Sequence, residues 1–143
     1  MLVGEYQHKL DAKRRLPLPA RMRNQLGAKV VVTRGLEGCL FIYPLRAWEE
    51  LAQKLNNLPL TSASSRSFKR FMFSGASELD LDNLGRILIP EYLKAHGQLK
   101  KDVVVIGNGE RLELWDRQQW EKYQARTAEE VEGHAEALTA FGI

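Results

Sequence analysis

The stretch Asp11-Ala-Lys-Arg-Arg-Leu-Pro-Leu-Pro19 decides the fold, because a similar stretch, Asp82-Asn-Leu-Gly-Arg-Ile-Leu-Ile-Pro90, follows later in the chain. Each copy consists of an aspartate, three intervening residues, an arginine and an apolar run that a proline closes. Self-similarity within one chain is the signature of a duplicated structural unit. We therefore predict two β-units of the same fold, each with a tight turn at the aspartate and a strand that begins at the arginine.

The repeat extends beyond these two stretches. The aspartate, the arginine and the final proline recur after 71 residues. Later positions recur after 72 residues, and these are Val31-Val32 with Val103-Val104, Leu40 with Leu112, Tyr43 with Trp115, and Trp48 with Trp120. The difference predicts one inserted residue between the turn and the later strands. The predicted parts are unit 1 at 4–48, a helical connector at 49–74, unit 2 at 75–120 and an acidic helical tail at 121–143.

Short strands and short helices alternate within each unit. Runs of β-branched and aromatic residues between turn-forming glycines are typical of strands, and a glycine after a helical stretch is typical of a helix end. The predicted segments are strands at 29–34, 39–43, 102–106 and 112–115, hairpin turns at 35–38 and 107–109, and short helices that end at Gly27 and Gly97.

The connector is also predicted to be helical. Its apolar residues recur at spacings of three and four, which gives one apolar stripe: Trp48, Leu51, Ala52, Leu55 and Leu58. A second short helix, which carries two phenylalanines and a methionine, ends at Gly75. In the tail, Thr127 begins a Thr-x-x-Glu pattern that is typical of a helix N-terminus. The helix after it has a thin apolar face, so we expect it to be loosely held.

Length and composition exclude several classes of protein. A chain of 143 residues with 44% hydrophobic content is typical of one globular domain or two small fused ones. No apolar run approaches the roughly 20 residues that a membrane span needs, and the first ten residues do not resemble a signal peptide. The single cysteine, Cys39, excludes an intrachain disulfide. We therefore expect a cytoplasmic protein without a membrane partner.

No residue pattern indicates a catalytic, metal or cofactor site. His8, His96 and His134 lie far apart, with no cysteine or carboxylate at metal-ligand spacing. Asp80 and Asp82 alternate along a predicted strand, but no nearby histidine or lysine completes an acid–base group. We therefore predict that the protein is not an enzyme and has no cofactor, metal or small-molecule substrate.

Positive charge is concentrated in the first half of the chain. The net charge is only +3, but residues 1–48 carry nine Lys and Arg against three Asp and Glu, whereas residues 76–121 carry six against nine. The densest cluster is Lys13-Arg14-Arg15. A basic end on a chain with an acidic opposite end predicts a polyanionic partner, of which nucleic acid is the commonest.

The residue types of the repeated turn explain how such a partner would be held. An aspartate that opens a tight turn accepts hydrogen bonds from amides inside it, and Gly85 permits a positive φ. Arg15 and Arg86 either pair with the aspartate or point outward as a five-donor fork that fits phosphate oxygens or a guanine edge. Both alternatives stay open. For Arg15 the neighbours Lys13 and Arg14 favour the outward orientation, because three adjacent cations repel each other unless an anion lies among them.

Taken together, these residues resemble the bacterial MraZ family. The resemblance covers about residues 1–122 and includes both copies of the motif in order. The segments that carry it are Gly4-Glu-Tyr, Leu10-Asp-Ala-Lys-x-Arg-Leu-x-x-Pro, Thr33-Arg-Gly-Leu-x-Gly-Cys-Leu-x-x-Tyr-Pro-Leu, Ser74-Gly-Ala-x-Glu, Leu81-Asp-x-x-Gly-Arg-Ile-Leu-Ile-Pro and Glu113-Leu-Trp-Asp.

The resemblance implies a fold, a function and a set of site residues. The implied fold is mainly β with short helices (α+β), in which two tandem SpoVT-AbrB-type units with swapped hairpins form an interleaved β-barrel. The implied function is sequence-specific transcriptional regulation in the nucleoid, by a ring of identical subunits on double-stranded promoter repeats upstream of its own division and cell-wall gene cluster. The family's Asp-x-x-x-Arg motif maps onto Asp11–Arg15 and Asp82–Arg86. Together with the charge of the first turn, this predicts DNA-binding residues Lys13, Arg14, Arg15 and Arg86, in turns formed by Asp11, Asp82 and Gly85.

One residue departs from the family pattern. The first motif of the family usually has glycine before the arginine, and this chain has Arg14. A positive φ at that position would cost a non-glycine residue about 1–3 kcal/mol. We expect Arg14 to be tolerated because its charge faces the DNA.

An alternative function is open at this stage. The acidic second half could serve an antitoxin-like or scaffold protein that binds another protein instead of DNA. Removal of residues 123–143 separates the two functions, because loss of a protein partner with DNA binding intact would support the protein-binding function.

Overall fold

The computed structural model describes all 143 residues as a mixed α+β fold with eight strands and six α-helices. The strands are β1 Leu2–Lys9, β2 Arg15–Pro17, β3 Lys29–Arg34, β4 Leu40–Pro44, β5 Ser77–Asp80, β6 Arg86–Leu88, β7 Asp102–Gly109 and β8 Leu112–Asp116. The helices are α1 Arg23–Leu26, α2 Leu45–Asn56, α3 Ala63–Gly75, α4 Glu91–His96, α5 Arg117–Thr127 and α6 Val131–Ala137, with 3₁₀ turns at Ala20–Met22 and Thr139–Phe141. None of the helices is long and apolar enough to cross a membrane.

The two halves of the chain exchange strands. Six strands form one antiparallel sheet in the order β1-β7-β8-β4-β3-β5, and β2 pairs with β6 in a separate two-stranded ribbon. Strand β1 from the first half pairs with β7 from the second, and β5 from the second pairs with β3 from the first. The hydrogen-bonded ladder ends at β1 and β5, so the sheet is open and the predicted closed barrel is not confirmed.

The apolar run after each arginine of the repeated motif supplies the centre of the main core. Leu16, Leu18, Ile87 and Ile89 are fully buried within a cluster of 18 residues. Leu16 faces Ile87 across the ribbon, so each copy of the motif packs against the other. The two turns are therefore fixed to a shared core by the residues that immediately follow them.

A second, aromatic core lies on the opposite face of the sheet. Side chains alternate between faces along a strand. Leu40 and Ile42 of β4 therefore belong to the main core, whereas Phe41 and Tyr43 contact the second. Helices α2, α3 and α5 cover this second face with Trp48, Phe71, Trp120 and neighbouring residues. The connector helices thus pack on the sheet away from the ribbon.

The strand register corrects the predicted repeat spacing. Val31 lies opposite Glu78 and Val104 lies opposite Gln7, so Val31 corresponds to Val104, at a spacing of 73 instead of 72. The chain runs ten residues from Pro19 to β3 but twelve from Pro90 to β7, which accounts for two inserted residues. Three consecutive valines occur in each strand, so sequence matching could not distinguish the two alignments.

One predicted turn and one predicted helix start are wrong. The glycines Gly107 and Gly109 lie within β7, and the turn is at residues 110–111. A Cβ atom on Gly107 would collide with the backbone of Val3, so this glycine permits the close approach of β1. Thr127 does not begin a helix. It is the last residue of α5, which begins at Arg117, before the predicted helical tail at 121–143, and its hydroxyl donates to the carbonyl of Tyr123.

Candidate nucleic-acid interface

The first turn, defined as residues 11–15, is closed by one aspartate. The Oδ1 atom of Asp11 accepts hydrogen bonds from the backbone amides of Lys13 at 2.9 Å and Arg15 at 2.8 Å. Its Oδ2 atom accepts one from Nε of Arg15 at 2.6 Å. The backbone amide of Arg14 donates to the Asp11 carbonyl at 3.0 Å. A short polar side chain thus satisfies the amides that a tight turn leaves unpaired.

The second turn, defined as residues 82–86, repeats this arrangement. Asp82 Oδ1 accepts from the amides of Leu84 and Arg86, both at 2.9 Å, and Oδ2 accepts from Nε of Arg86 at 2.8 Å. The amide of Gly85 donates to the Asp82 carbonyl at 2.9 Å. The duplication therefore extends to each hydrogen bond of the turn.

The hydrogen bonds of the turns change the acidity of both aspartates. The backbone amide of Arg15, followed by its side chain, holds the pKa of the Asp11 carboxyl below its ordinary value. The amide and side chain of Arg86 lower the pKa of Asp82 in the same way. Each carboxylate is charged at neutral pH, where it orients the arginine beside it.

The ribbon places both arginines on one outward face. In the antiparallel register Arg15 lies opposite Leu88 and Pro17 lies opposite Arg86. The intervening pair, Leu16 and Ile87, points into the core. Because side chains alternate along a strand, both arginines project from the other face, at opposite ends of the ribbon.

Each of these arginines can hold the turn and contact a ligand at the same time. The Nε atom of Arg15 or Arg86 is used by its aspartate. The terminal Nη atoms of both side chains have no hydrogen-bond partner in the protein, and the side chains are 36% and 27% exposed. A guanidinium held by Nε presents its remaining donors in a fixed plane, as bidentate recognition of phosphate or guanine requires.

The position before the arginine differs between the turns, although the backbone does not. Arg14 has φ of 63° and Gly85 has φ of 73°. Nε of Arg14 donates to the carbonyl of Ile89 at 3.0 Å. The equivalent carbonyl, that of Leu18, accepts instead from Nε of Arg23 at 3.1 Å. A guanidinium therefore braces the equivalent carbonyl, that of Leu18 or Ile89, in both units. It belongs to Arg23 in one case and to Arg14 in the other.

Gly85 makes room for the second of these braces. A Cβ atom at this position would collide with the guanidinium of Arg23. At the first turn the Arg14 side chain itself folds back over the equivalent surface, with Nη1 3.5 Å from Glu91. Nε and Nη1 of Arg14 thus both have partners in the protein, whereas Lys13 is exposed and makes no ion pair. The position of Arg23 over Gly85 was missed from the sequence, because this is a contact between the two units.

The remaining reactive side chains do not form a site. No group of three or more histidine, cysteine, aspartate or glutamate residues is placed to hold a metal ion. Burial raises the pKa of the Cys39 thiol well above its ordinary value, and its Sγ donates to the carbonyl of Leu36. A buried thiol of this kind behaves as a small apolar side chain.

The fold and the paired turns define a class of protein: a duplicated α+β binding module that presents two aspartate-held arginines on one face. Comparison with known proteins identifies the family. The family model described as "MraZ protein, putative antitoxin-like" matches residues 1–71 and again residues 72–141. The chain belongs to the MraZ family.

Full-length relatives carry one name. The chain is 50% identical to "Transcriptional regulator MraZ" of Heliobacterium modesticaldum over 143 residues, which cover 100% of both chains. It is 49% identical to the protein of the same name from Moorella thermoacetica, again over 100% of both chains. The relative from Oenococcus oeni is 49% identical over the same coverage.

Proposed function

We propose that this protein is a sequence-specific DNA-binding transcriptional regulator. The observation that carries the proposal is the outward face of the β2–β6 ribbon, where Arg15 and Arg86 are held by their aspartates with free Nη donors. The relatives' name, transcriptional regulator, agrees with this use of the face. A transcriptional regulator is not an enzyme class, and the site needs no bond-breaking chemistry.

The proposed contacts are of two kinds: contacts that recognise the base sequence and contacts to the phosphate backbone that position the protein. Arg15 and Arg86 read guanine edges or clamp phosphates, since a planar fork fits both. Lys13, on the exposed tip of the first turn, contacts the phosphate backbone. Arg14 adds positive charge to the same surface while its Nε holds Ile89.

The proposed assembly is a ring of identical subunits on repeated boxes in promoter DNA. Linking several ribbons in one ring raises the effective concentration of each contact, so a chain with a net charge of only +3 can bind tightly. Within each subunit we propose that units 4–48 and 75–120 wrap the shared core as an interleaved barrel, with 49–74 as a connector and 121–143 as a tail. The proposed location is the nucleoid.

A footprint on the DNA upstream of the protein's own gene tests the proposal. Purified protein is expected to protect repeated boxes at moderate salt, and absence of protection there would reject it. Arg15→Ala and Arg86→Ala are each expected to lose about 1–3 kcal/mol of discrimination between this DNA and a scrambled duplex if they read bases. Equal loss on both duplexes marks phosphate contacts. Arg70→Ala, at an exposed arginine without an ion pair, is the matched control.

A protein-binding function is the second candidate, and the tail favours it. Helix α6 buries no residue, and Val131, Phe141 and Ile143 are 58%, 76% and 79% exposed. Truncation after Thr127 is the appropriate test, because Tyr123 still packs against Trp115 in the shortened chain. Loss of a protein partner with DNA binding unchanged would support the second function. Loss of DNA binding would instead show that the tail contributes to the proposed DNA-binding function.

A further inference from the structure

We propose that a lysine groove beside the first turn binds the phosphate backbone of the same DNA. The lysine groove is lined by Lys94, Lys100 and Lys101 together with Ala12. It consists of two adjoining hollows of about 440 Å³ and about 610 Å³ that share Ala12, Lys94 and Lys100. The inference rests on the proposed DNA-binding function and extends its surface to residues of the second unit.

A backbone contact fixes the lysines next to the first turn. The amide of Leu10, directly before Asp11, donates to the carbonyl of Lys101 at 2.8 Å. Arg14 ties the other side of the turn to Ile89, just before helix α4, which carries Lys94. Exchange of strands between the halves thus brings cations of the acidic half beside the basic cluster of the first half.

The three lysines of the groove have no partner for their charge within ion-pair distance. None of them makes an ion pair or a side-chain hydrogen bond, although Lys100 and Lys101 also line a separate hollow with Asp102, Asp116 and Glu121. The two acids that line the hollows, Asp11 and Glu91, face Arg15 and Arg14 respectively. Adjacent cations without an anion repel each other, so the groove is suited to a polyanion.

The second turn has no counterpart of this groove. The amide of Leu81 donates to the carbonyl of Ala28 at 2.9 Å, as Leu10 does to Lys101. The segment there is Gly27-Ala28, whereas the longer segment 97–101 ends in two lysines. The nearby Lys29 is paired with Glu78 and Asp80. The residues added in the second unit therefore give the first turn a flanking cationic surface that the second lacks.

Lysine determines the kind of contact. An ammonium group is a compact point charge without the planar fork that reads bases, so it binds phosphate oxygens regardless of sequence. The groove would extend the footprint of the first turn along one DNA strand and leave base recognition to the arginines. Each phosphate neutralised adds about 0.9 to the slope of log affinity against log salt.

The test compares two double variants of the full-length protein. Lys100→Ala with Lys101→Ala removes two groove cations and keeps the backbone bond to Leu10. Lys54→Ala with Lys122→Ala removes two exposed, unpaired lysines from α2 and α5. Binding is measured by fluorescence anisotropy over a range of salt concentrations, on the upstream duplex and on a scrambled duplex, and thermal melting shows that both variants are folded.

The groove variant is expected to lower the salt slope by about 2 and to weaken binding equally on both duplexes. The control variant is expected to keep the slope of the unaltered protein. An unchanged slope in the groove variant, or an equal fall in both variants, would overturn the proposed groove while DNA binding stands. If the unaltered protein binds neither duplex, the proposed function fails and the groove with it.

Discussion

The two turns have the same backbone and the same hydrogen bonds but different surroundings. At the first turn, Lys13 and Arg14 add charge, and Arg14 braces the ribbon from within the turn. At the second turn the equivalent residues are Leu84, which is 63% exposed, and Gly85, and the brace is Arg23 of the other unit. After duplication, the geometry that holds the arginine was kept, whereas the charge around it diverged. The position of the arginine and the charge of its surroundings can therefore change independently in this fold.

Core substitutions under the ribbon test whether the turns share one support. Leu16→Ala and Ile87→Ala each remove a buried side chain from the same cross-strand pair. Each is expected to lower the free energy of unfolding by about 2–5 kcal/mol. Denaturant unfolding measures the effect. Since the pair is shared, the double variant is expected to lose less than the sum of the single losses, and strict additivity would show that the turns are supported independently.

A methyl group at the second turn tests the contact between Gly85 and Arg23 of the other unit. Gly85→Ala is expected to lower the free energy of unfolding by about 1–3 kcal/mol, because φ is 73° and the new Cβ meets Arg23. The measurement is a double-mutant cycle with Arg23→Ala. Removal of the Arg23 side chain relieves the collision, so Gly85→Ala should be milder in that background. Equal losses of unfolding free energy in both backgrounds would mean that Gly85→Ala destabilises the protein through backbone strain alone.

Acid titration tests whether the turns remain equivalent. The folded pKa of Asp11 and Asp82 lies below the ordinary value of about 3.9, so the unfolded chain binds more protons and stability falls as pH falls through this range. Asp11→Asn and Asp82→Asn should each be less stable than the unaltered protein at neutral pH, with a gap that narrows below about pH 5. Unfolding curves over pH measure the gap. A gap that stays constant over pH would show that the carboxylate charge does not stabilise the turn.

The smallest effect is expected where the turns differ most in sequence. Arg14→Gly relieves a positive φ but removes the bond to Ile89, which is worth about 0.5–1.5 kcal/mol, so stability should change by less than about 1 kcal/mol. Fluorescence anisotropy titrations at several salt concentrations measure how much the charge of Arg14 contributes to the salt slope of DNA affinity. A lower salt slope would show that the guanidinium still acts on phosphates. An unchanged slope would show that Arg14 only braces the Ile89 carbonyl and does not contact DNA.

Local chemistry was predictable from the sequence, and contacts between the halves were not. The bounds of β3, the end of α4 before Gly97 and the end of α3 at Gly75 follow from strand-forming runs and glycines, and they are confirmed. The assignment of aspartate and arginine to one turn used only residues four apart. The contact of Arg23 with Gly85 and the lysine groove both depend on which segments of the two units meet, and no spacing within one unit contains that information. Gly107 was misread as a turn because the close approach of β1 is a long-range contact.

Strand exchange also has a consequence for synthesis of the chain. The partner of β1 is β7, about 100 residues later, and the partner of β3 on its outer edge is β5. At about 5–20 residues per second, β1 leaves the ribosome roughly 5–20 s before its partner exists. During that interval the first half exposes unpaired strand edges that fit the first half of a neighbouring nascent chain as well as its own second half. Chains translated side by side on one message therefore have an opportunity to pair with each other before either is complete.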